Sequence, residues 1–560
     1  MTDESALAIS EREELEPELP PPPPITLKEV FVQEHEDSPD SSISGSDEER
    51  KTDKPRADIP PEYWHIQKLI KYLKTGNQTA TVVALCCLRD HDLTTETSQL
   101  AIQVNIAKAA TRALWSVSKS KKNIRVMMKS GSVPLLARLL KSDHMDVVVP
   151  TIGTISQCAI DPTYQLAIQT EGMIKDIVLH LFSEEYPALR RYCSETIFRC
   201  GENALIRDMV REAGGLDPLV KMVRDPKTKE DKPLLAAVTG AIWKLAISPQ
   251  NVERFDQLKT VESLVTLLEN VEEDEGVLSN VVGALGECLK FEHNRHNLLR
   301  ANGIPHLVNL LNYTYPPLLE NVPMVLRECA EDYDSMRVIE ELDGVRLIWS
   351  LLRNDSQKVQ ANAAWSLVPC VRYATDSGEM VRCFVGGLEL IVNLLKSNDN
   401  HVLACVCAAV SEVAKDIENL AVMTDHGVVP LLVNLVNTDD VELRQHLASA
   451  IAYCCAWGTN CKMFGRLGAI TPLVQYMADD DANVHRTTAL ALFHLSKNPF
   501  NCITMHESGV VTFLLRAVSS KDWELQEAAA GCLANIRKLA LEAETVHLIR
   551  NRDDTSDEDN

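Results

Sequence analysis

Side chains able to do chemistry are abundant in this 560-residue chain, which holds 80 aspartates and glutamates, 15 histidines and 16 cysteines. Chemistry needs them at particular spacings, and the sequence does not supply those spacings. His485, His494 and His506 form no His-x-x-x-His pair with a carboxylate nearby, the arrangement that sets two zinc ligands on one helix face. Motifs that cradle a phosphate, raise a nucleophile on a tight turn or bind a catalytic metal do not occur: Gly-x-x-x-x-Gly-Lys-Ser/Thr, Gly-x-Gly-x-x-Gly, Gly-x-Ser-x-Gly, His-Glu-x-x-His. The cysteines form no Cys-x-x-Cys pair, and most lie in apolar helical stretches, among them Cys86, Cys87, Cys158, Cys200, Cys288, Cys329 and Cys454. They read as free buried thiols of a reducing compartment rather than as disulfides or zinc ligands. The expectation is a protein that is not an enzyme, with no cofactor, no metal and no small-molecule substrate.

Two other groups of side chains stand out. Lys119, Lys121, Lys122 and Arg125 form a basic turn, either an ordinary solvated loop or a contact for an acidic partner such as a tubulin tail. Ser44 and Ser46 precede the acids at 47–49 and are candidate phosphorylation sites, where a phosphate would deepen the local charge; the other reading is an unmodified solvated tract. The formal net charge is -24, but residues 1–60 alone hold 17 acidic and 6 basic residues, so the rest of the chain is only mildly acidic. With no long basic stripe, nucleic acid is not an expected partner. No window approaches the roughly 18 apolar residues that span a bilayer, so the chain is expected to be soluble and intracellular, with no membrane contact.

The elements that would position these groups repeat along the chain. A Leu-Val-x-Leu-Leu box recurs with first residues Leu136, Val178, Leu219, Leu264, Leu307, Ile348, Ile391, Leu432, Leu473 and Leu514, at intervals of 41 to 45 residues. Most boxes follow a small turn residue, as in Gly-Ile-Pro at 303–305 and Gly-Val-Val-Pro at 427–430. Gly permits a sharp bend and Pro fits a first helical turn, so each box opens a helix. About 20 residues later comes an Ala- and Val-rich stretch with apolar residues at i, i+3, i+4 and i+7, as at 234–243, 359–365 and 525–533. This second stretch predicts a helix lining the inner face of a stacked array, because one repeat cannot bury both its faces alone.

The Gly-Ile-Pro-x-Leu-Val-x-Leu-Leu opening, the Ala-rich third helix and the period resemble armadillo repeats. The implied fold is an all-α armadillo-repeat solenoid, a right-handed superhelix of three-helix repeats. Armadillo proteins of the nuclear-import type carry an asparagine ladder on the third helix beside tryptophans that clamp basic side chains. The aligned positions here are Ser116, Gln157, Arg199, Lys244, Glu287, Glu328, Pro369, Glu412, Tyr453, His494 and Asn535. Only Asn535 matches, and Trp365, where a clamp would sit, is followed by Pro369. A repeating grip on a peptide backbone is therefore not expected. The candidate partner-binding inner face is Trp115, Arg199, Trp243, Lys244, Glu287, Glu328, Trp365, Glu412, Tyr453, His494 and Asn535. The charged members could equally be solvated side chains, and Trp115 and Trp243 could equally be core residues at a repeat junction.

The ends differ from the array. Residues 1–58, acidic at 11–18, with five prolines at 20–24 and a Ser/Asp/Glu tract at 37–50, read as disordered. Residues 59–123 read as irregular or partial repeats, with helices at 63–73 and 82–88, a third-helix pattern at 105–117 and a gap near 100–104. About ten repeats fill 124–540, and 541–560 is a C-terminal extension with a solvated acidic tail from 553.

Five runs, 63–90, 235–244, 280–288, 378–397 and 501–507, go beyond the sparse repeat consensus. They resemble the ciliary armadillo family whose members serve in outer dynein arm docking complexes, and the resemblance spans about 58–540. It implies a non-enzymatic scaffold that helps fix outer dynein arms to axonemal doublet microtubules, for ciliary and sperm flagellar motility. Implied partners are coiled-coil docking subunits, outer dynein arm components and tubulin; the implied location is the cytoplasm and the axoneme of cilium or flagellum. A shorter N-terminal part and the gap near 100–104 depart from that pattern. The alternative is a cytoplasmic adaptor or transport receptor binding peptide segments in its concave groove.

Overall fold

Helices are joined in this protein by turns that force one residue into positive φ, where an L side chain crowds its own backbone. Among the described residues, ten such residues occur at the joint between the first and second helix of a repeat. Seven are glycines, Gly131, Gly172, Gly214, Gly386, Gly427, Gly468 and Gly509, and three are Lys259, Asn302 and Asp343. The bend in Gly-Ile-Pro therefore lies at Asn302 (φ 55°), not at the glycine after it. Gly303 is small for another reason: a Cβ there would lie 2.6 Å from Leu298 Cδ1.

The computed structural model describes Leu69, Ala80, Val83, Ala84, Cys87, residues 104–270 and 272–556, with side chains from 107 to 545 and at those first five positions. Segment 1–58, with Ser44 and Ser46, and most of the helices expected at 63–73 and 82–88 lie outside the described residues. Among the described residues there are helices and no strand.

Eleven long helices form the inner row: α1 (Val104–Val117), α2 (Met145–Cys158), α3 (Pro187–Cys200), α4 (Lys232–Ala246), α5 (Glu275–Cys288), α6 (Pro316–Cys329), α7 (Gln357–Tyr373), α8 (Asn400–Val413), α9 (Val441–Cys454), α10 (Ala482–Leu495) and α11 (Trp523–Ser556). Each packs directly on the next, from α1 on α2 to α10 on α11. At least two shorter helices precede every member of the row from α2 on, such as Pro162–Thr170 and Met173–His180 before α3. The first residue of all ten boxes is buried, and one hydrophobic core runs without a break from Leu114 to Cys532. Each such Leu, Ile or Val contributes about 1.5–3 kcal/mol through burial.

The 45-residue interval has a local cause. Between the box helix Leu216–Arg224 and α4 lies an extra helix, Pro226–Glu230. Asp225 starts it by accepting from Lys227 N at 3.2 Å, and Asp231 starts α4 by accepting from Leu234 N at 3.1 Å. At the other end, α11 continues as far as Ser556, through the extension expected after 540 and into the acidic tail.

Side chains that the repeat consensus does not show hold the turn after five of the inner helices, α1, α4, α5, α9 and α10. The carbonyls ending a helix have no partner of their own. Asn123, Asn251, Asn294, Asn460 and Asn501 each donate Nδ2 to the carbonyl six residues back, at 2.9–3.0 Å.

Candidate protein-binding surface

The inner row carries every candidate surface residue, and its sequence decides which of them are free to meet a partner. Aromatic side chains near the end of one inner helix lie over glycines of the next. Trp115 would be 2.8 Å from a Cβ on Gly153, Phe493 2.5 Å from one on Gly531, and Trp243 would collide with one on Gly283. Trp115 also meets the edge of Tyr192, centroids 5.2 Å apart. Both tryptophans are half-buried and packed against the core, so they hold repeats together. Phe198, over Gly240 in the same register, was the signal that would have revealed the pattern in the sequence.

Charged candidates are engaged within the molecule. Arg199 Nη1 donates to Ser156 Oγ at 2.9 Å, Lys244 meets Glu202 at 2.5 Å and stands 4.5 Å over the Trp243 ring, and Glu287 pairs with Lys290 at 2.6 Å. Glu328 pairs with Arg327 at 2.6 Å, and burial pushes its carboxyl above the ordinary range. The Arg327 guanidinium lies 5.2 Å over Trp365, whose ring meets the edge of His446 at 5.1 Å. Burial and the Lys497 ammonium hold His494 below the usual histidine value, and Lys497 Nζ stands 3.2 Å from His494 Nδ1.

Asparagines do recur on the inner row, seven residues before the aligned positions and 41 residues apart. Asn280 donates to Ala236 O at 3.0 Å, Asn321 to Pro317 O at 3.1 Å and to Ser279 Oγ at 3.3 Å, and Asn362 to Glu320 O at 2.7 Å. Asn535, the one match to the ladder, donates to Ser496 Oγ at 2.8 Å. These amides join repeat to repeat. Their equal spacing was legible, but it does not fall on the positions that the family comparison brought forward.

The structure gathers two of the candidates, Glu412 and Tyr453, into one open groove of about 1140 Å³ formed by α7 to α11. Glu412 is buried at its floor, bonded to Arg372 at 2.5 Å and Lys415 at 2.6 Å. Burial pushes its carboxyl up, but those two cations outweigh burial and hold it below the ordinary glutamate value. The Lys415 ammonium lies 5.1 Å over the Tyr453 ring, while Leu490, Phe493 and the 67% exposed Trp523 supply apolar wall. Aromatics beside arginine are the residue types that dominate protein interfaces, and Trp523, Arg372 and Arg486 at this groove escaped the sequence reading because they lie off the aligned positions. Among the described residues, no group of three or more His, Cys, Asp or Glu side chains gathers as a metal site, and no helix is long and apolar enough to cross a membrane.

Known proteins share this architecture. Gudu, an armadillo repeat-containing protein of Drosophila melanogaster, is 43% identical over 518 residues, which cover 72% of this chain and 77% of gudu. The chain belongs to this armadillo-repeat family. The outer dynein arm-docking complex subunit 2 of Bos taurus is 42% identical over 70% of this chain, and that of Mus musculus 41% identical over 67%. The chain spans about half the length of those two relatives, 48% and 46%. No family profile matches it. A solved structure from work on a phosphorylation switch between cadherin and β-catenin superposes with a TM-score of 0.60 at 16% identity, over 84% of this chain and 99% of that one. At such identity the likeness concerns the fold alone, an all-α armadillo solenoid.

Proposed function

We propose that this protein is a non-enzymatic scaffold that binds other proteins and helps dock outer dynein arms on axonemal doublet microtubules. The observation that carries this reading is the 42% identity to the bovine docking-complex subunit, which runs over 70% of the chain. The site agrees with a scaffold: the groove of α7 to α11 is open and lined by aromatic, arginine and glutamate side chains. In this reading Glu412, Tyr453 and Trp523 meet a partner of defined shape, and the partners are coiled-coil docking subunits and outer-arm components. The protein then works in the cytoplasm during assembly and in the axoneme of cilium or flagellum.

The alternative, an adaptor that grips any extended peptide along its inner row, is disfavoured because Asn280, Asn321, Asn362 and Asn535 donate their amides within the molecule. Crosslinking mass spectrometry on isolated axonemes tests the proposal. It predicts crosslinks from lysines of this chain to docking-complex subunits, with Lys415 among them. Absence of this chain from the axonemes, with its crosslinks found only to soluble proteins of the cytosolic extract, would overturn it and favour the adaptor.

A further inference from the structure

Beyond residue 144, about half of the lysines and arginines meet an acid within the molecule: Lys221 meets Glu184 at 2.7 Å, Lys232 meets Glu273 at 2.6 Å, Arg254 meets Asp217 at 2.5 Å and Arg382 meets Asp416 at 2.9 Å. The start of the described array is different. Residues 104–144 hold nine lysines and arginines against a single acid, Asp143, whereas residues 145–550 hold 53 acids against 36 lysines and arginines. Lys108 is paired with Asp146, and Lys141 reaches Asp176 at 3.8 Å. Lys119, Lys121, Lys122, Arg125 and Lys129 are all exposed, and none has an ion-pair or hydrogen-bond partner among the described side chains. The Asp161 carboxylate acts on Arg125 at longer range but is occupied in capping the next helix, accepting from Thr163 N at 2.9 Å.

Helix geometry turns these charges into a pattern. The helix Lys121–Lys129 buries Ile124 and Met127, which leaves Lys121, Arg125 and Lys129 at i, i+4 and i+8 on its outward face. Neighbours in that stripe are about 6 Å apart along the axis, at 1.5 Å per residue. An extended peptide advances about 6.6 Å over two residues, and its alternate side chains point the same way. Carboxylates at every second position of an extended chain therefore fall in register with the three cations. Val126, 43% exposed, stands beside the stripe to receive an apolar group.

We propose that the outward face of the helix Lys121–Lys129 docks an extended acidic peptide segment with carboxylates at alternate positions. Charge complementarity decides the partner, and the short length of the strip decides its form. A nucleic acid or an anionic membrane would carry its charge past the strip and against the acidic repeats that follow, where it is repelled. A segment of five or six residues stays within the basic repeat. This inference is independent of the docking role.

Fluorescence anisotropy on the full-length protein, with a labelled Glu-Ser-Glu-Ser-Glu-Ser peptide as probe, tests it. Binding is expected, weakening as salt rises to about 0.3 M, because exposed ion pairs are screened. The combined Lys121→Glu, Arg125→Glu and Lys129→Glu variant is expected to lose about tenfold or more in affinity, from three exposed pairs. Lys358→Glu, an exposed lysine of a distant repeat, is expected to change nothing. Arg125→Gln alone, which alters one solvent-facing side chain, is expected to lose about two- to threefold and serves if the triple variant misfolds. The inference is overturned if the peptide does not bind, if Lys358→Glu weakens it as much as the triple change, or if duplex DNA or phosphatidylserine vesicles bind as tightly as the peptide.

Discussion

At the scale of single residues, two carboxylates of the inner row, buried Glu412 and half-buried Glu328, are shifted in opposite directions. Glu412 sits below the ordinary value of 4.5 because Arg372 and Lys415 bond its charged form. Its contribution to stability is complete above the unfolded-state value and disappears as pH falls through the folded one. Thermal melts should therefore lose stability on acidification below about pH 4.5, and Glu412→Gln should flatten that loss while lowering the melting temperature at neutral pH. Glu328 lies above 4.5 through burial, so what it adds is present at low pH and lost as pH rises through its folded value. Glu328→Gln should raise the melting temperature at neutral pH. Asn251 belongs to the turn-holding amides, and Asn251→Ala leaves the Leu245 carbonyl without its bond, which should cost about 1–3 kcal/mol in denaturant unfolding. Glu328 and Glu412 were visible in the sequence as positions on the inner helix. What they do was not, because Arg372 lies 40 residues from Glu412 and only the stacking of α7 on α8 joins them.

At the scale of the element, the joint between first and second helices is the feature that recurs most strictly. Gly427 at φ 82° has a backbone that a side chain strains, whereas Lys259 at φ 52° already carries such strain. Gly427→Ala should destabilise by about 1 kcal/mol, and Lys259→Gly should be neutral or stabilising by up to about 1 kcal/mol, in paired denaturant titrations. The boxes and their period fixed where these helices fall, since one apolar pattern repeats ten times. The identity of the bending residue escaped at Asn302 and Asp343, whose short polar side chains tolerate the left-handed region, and at Lys259, where nothing in the sequence marks the bend. Cysteines show the same division between pattern and context. Burial raises the thiols of Cys158, Cys200, Cys288 and Cys454 to about 12, while Cys383 is exposed. Iodoacetamide labelling of the native protein read by mass spectrometry should modify Cys383 and leave those four unmodified until the chain unfolds.

At the scale of the whole molecule, the described residues form a solenoid whose inner side chains are spent largely on joining repeats, with freedom left at two places. One is the groove of α7 to α11, with Trp523 at its wall; the other is the cationic face of the helix Lys121–Lys129. A groove that grips through particular side chains suits a fixed partner better than a range of peptides, and this is the physical core of the docking proposal. The sequence already disfavoured a generic peptide grip through its missing asparagine ladder; the groove itself was hidden, because five inner helices must be stacked before it exists. Electron microscopy of axoneme cross-sections from cells depleted of this protein tests the account most directly. The account predicts intact doublet microtubules that lack outer dynein arms. A full set of outer arms on those doublets would contradict it.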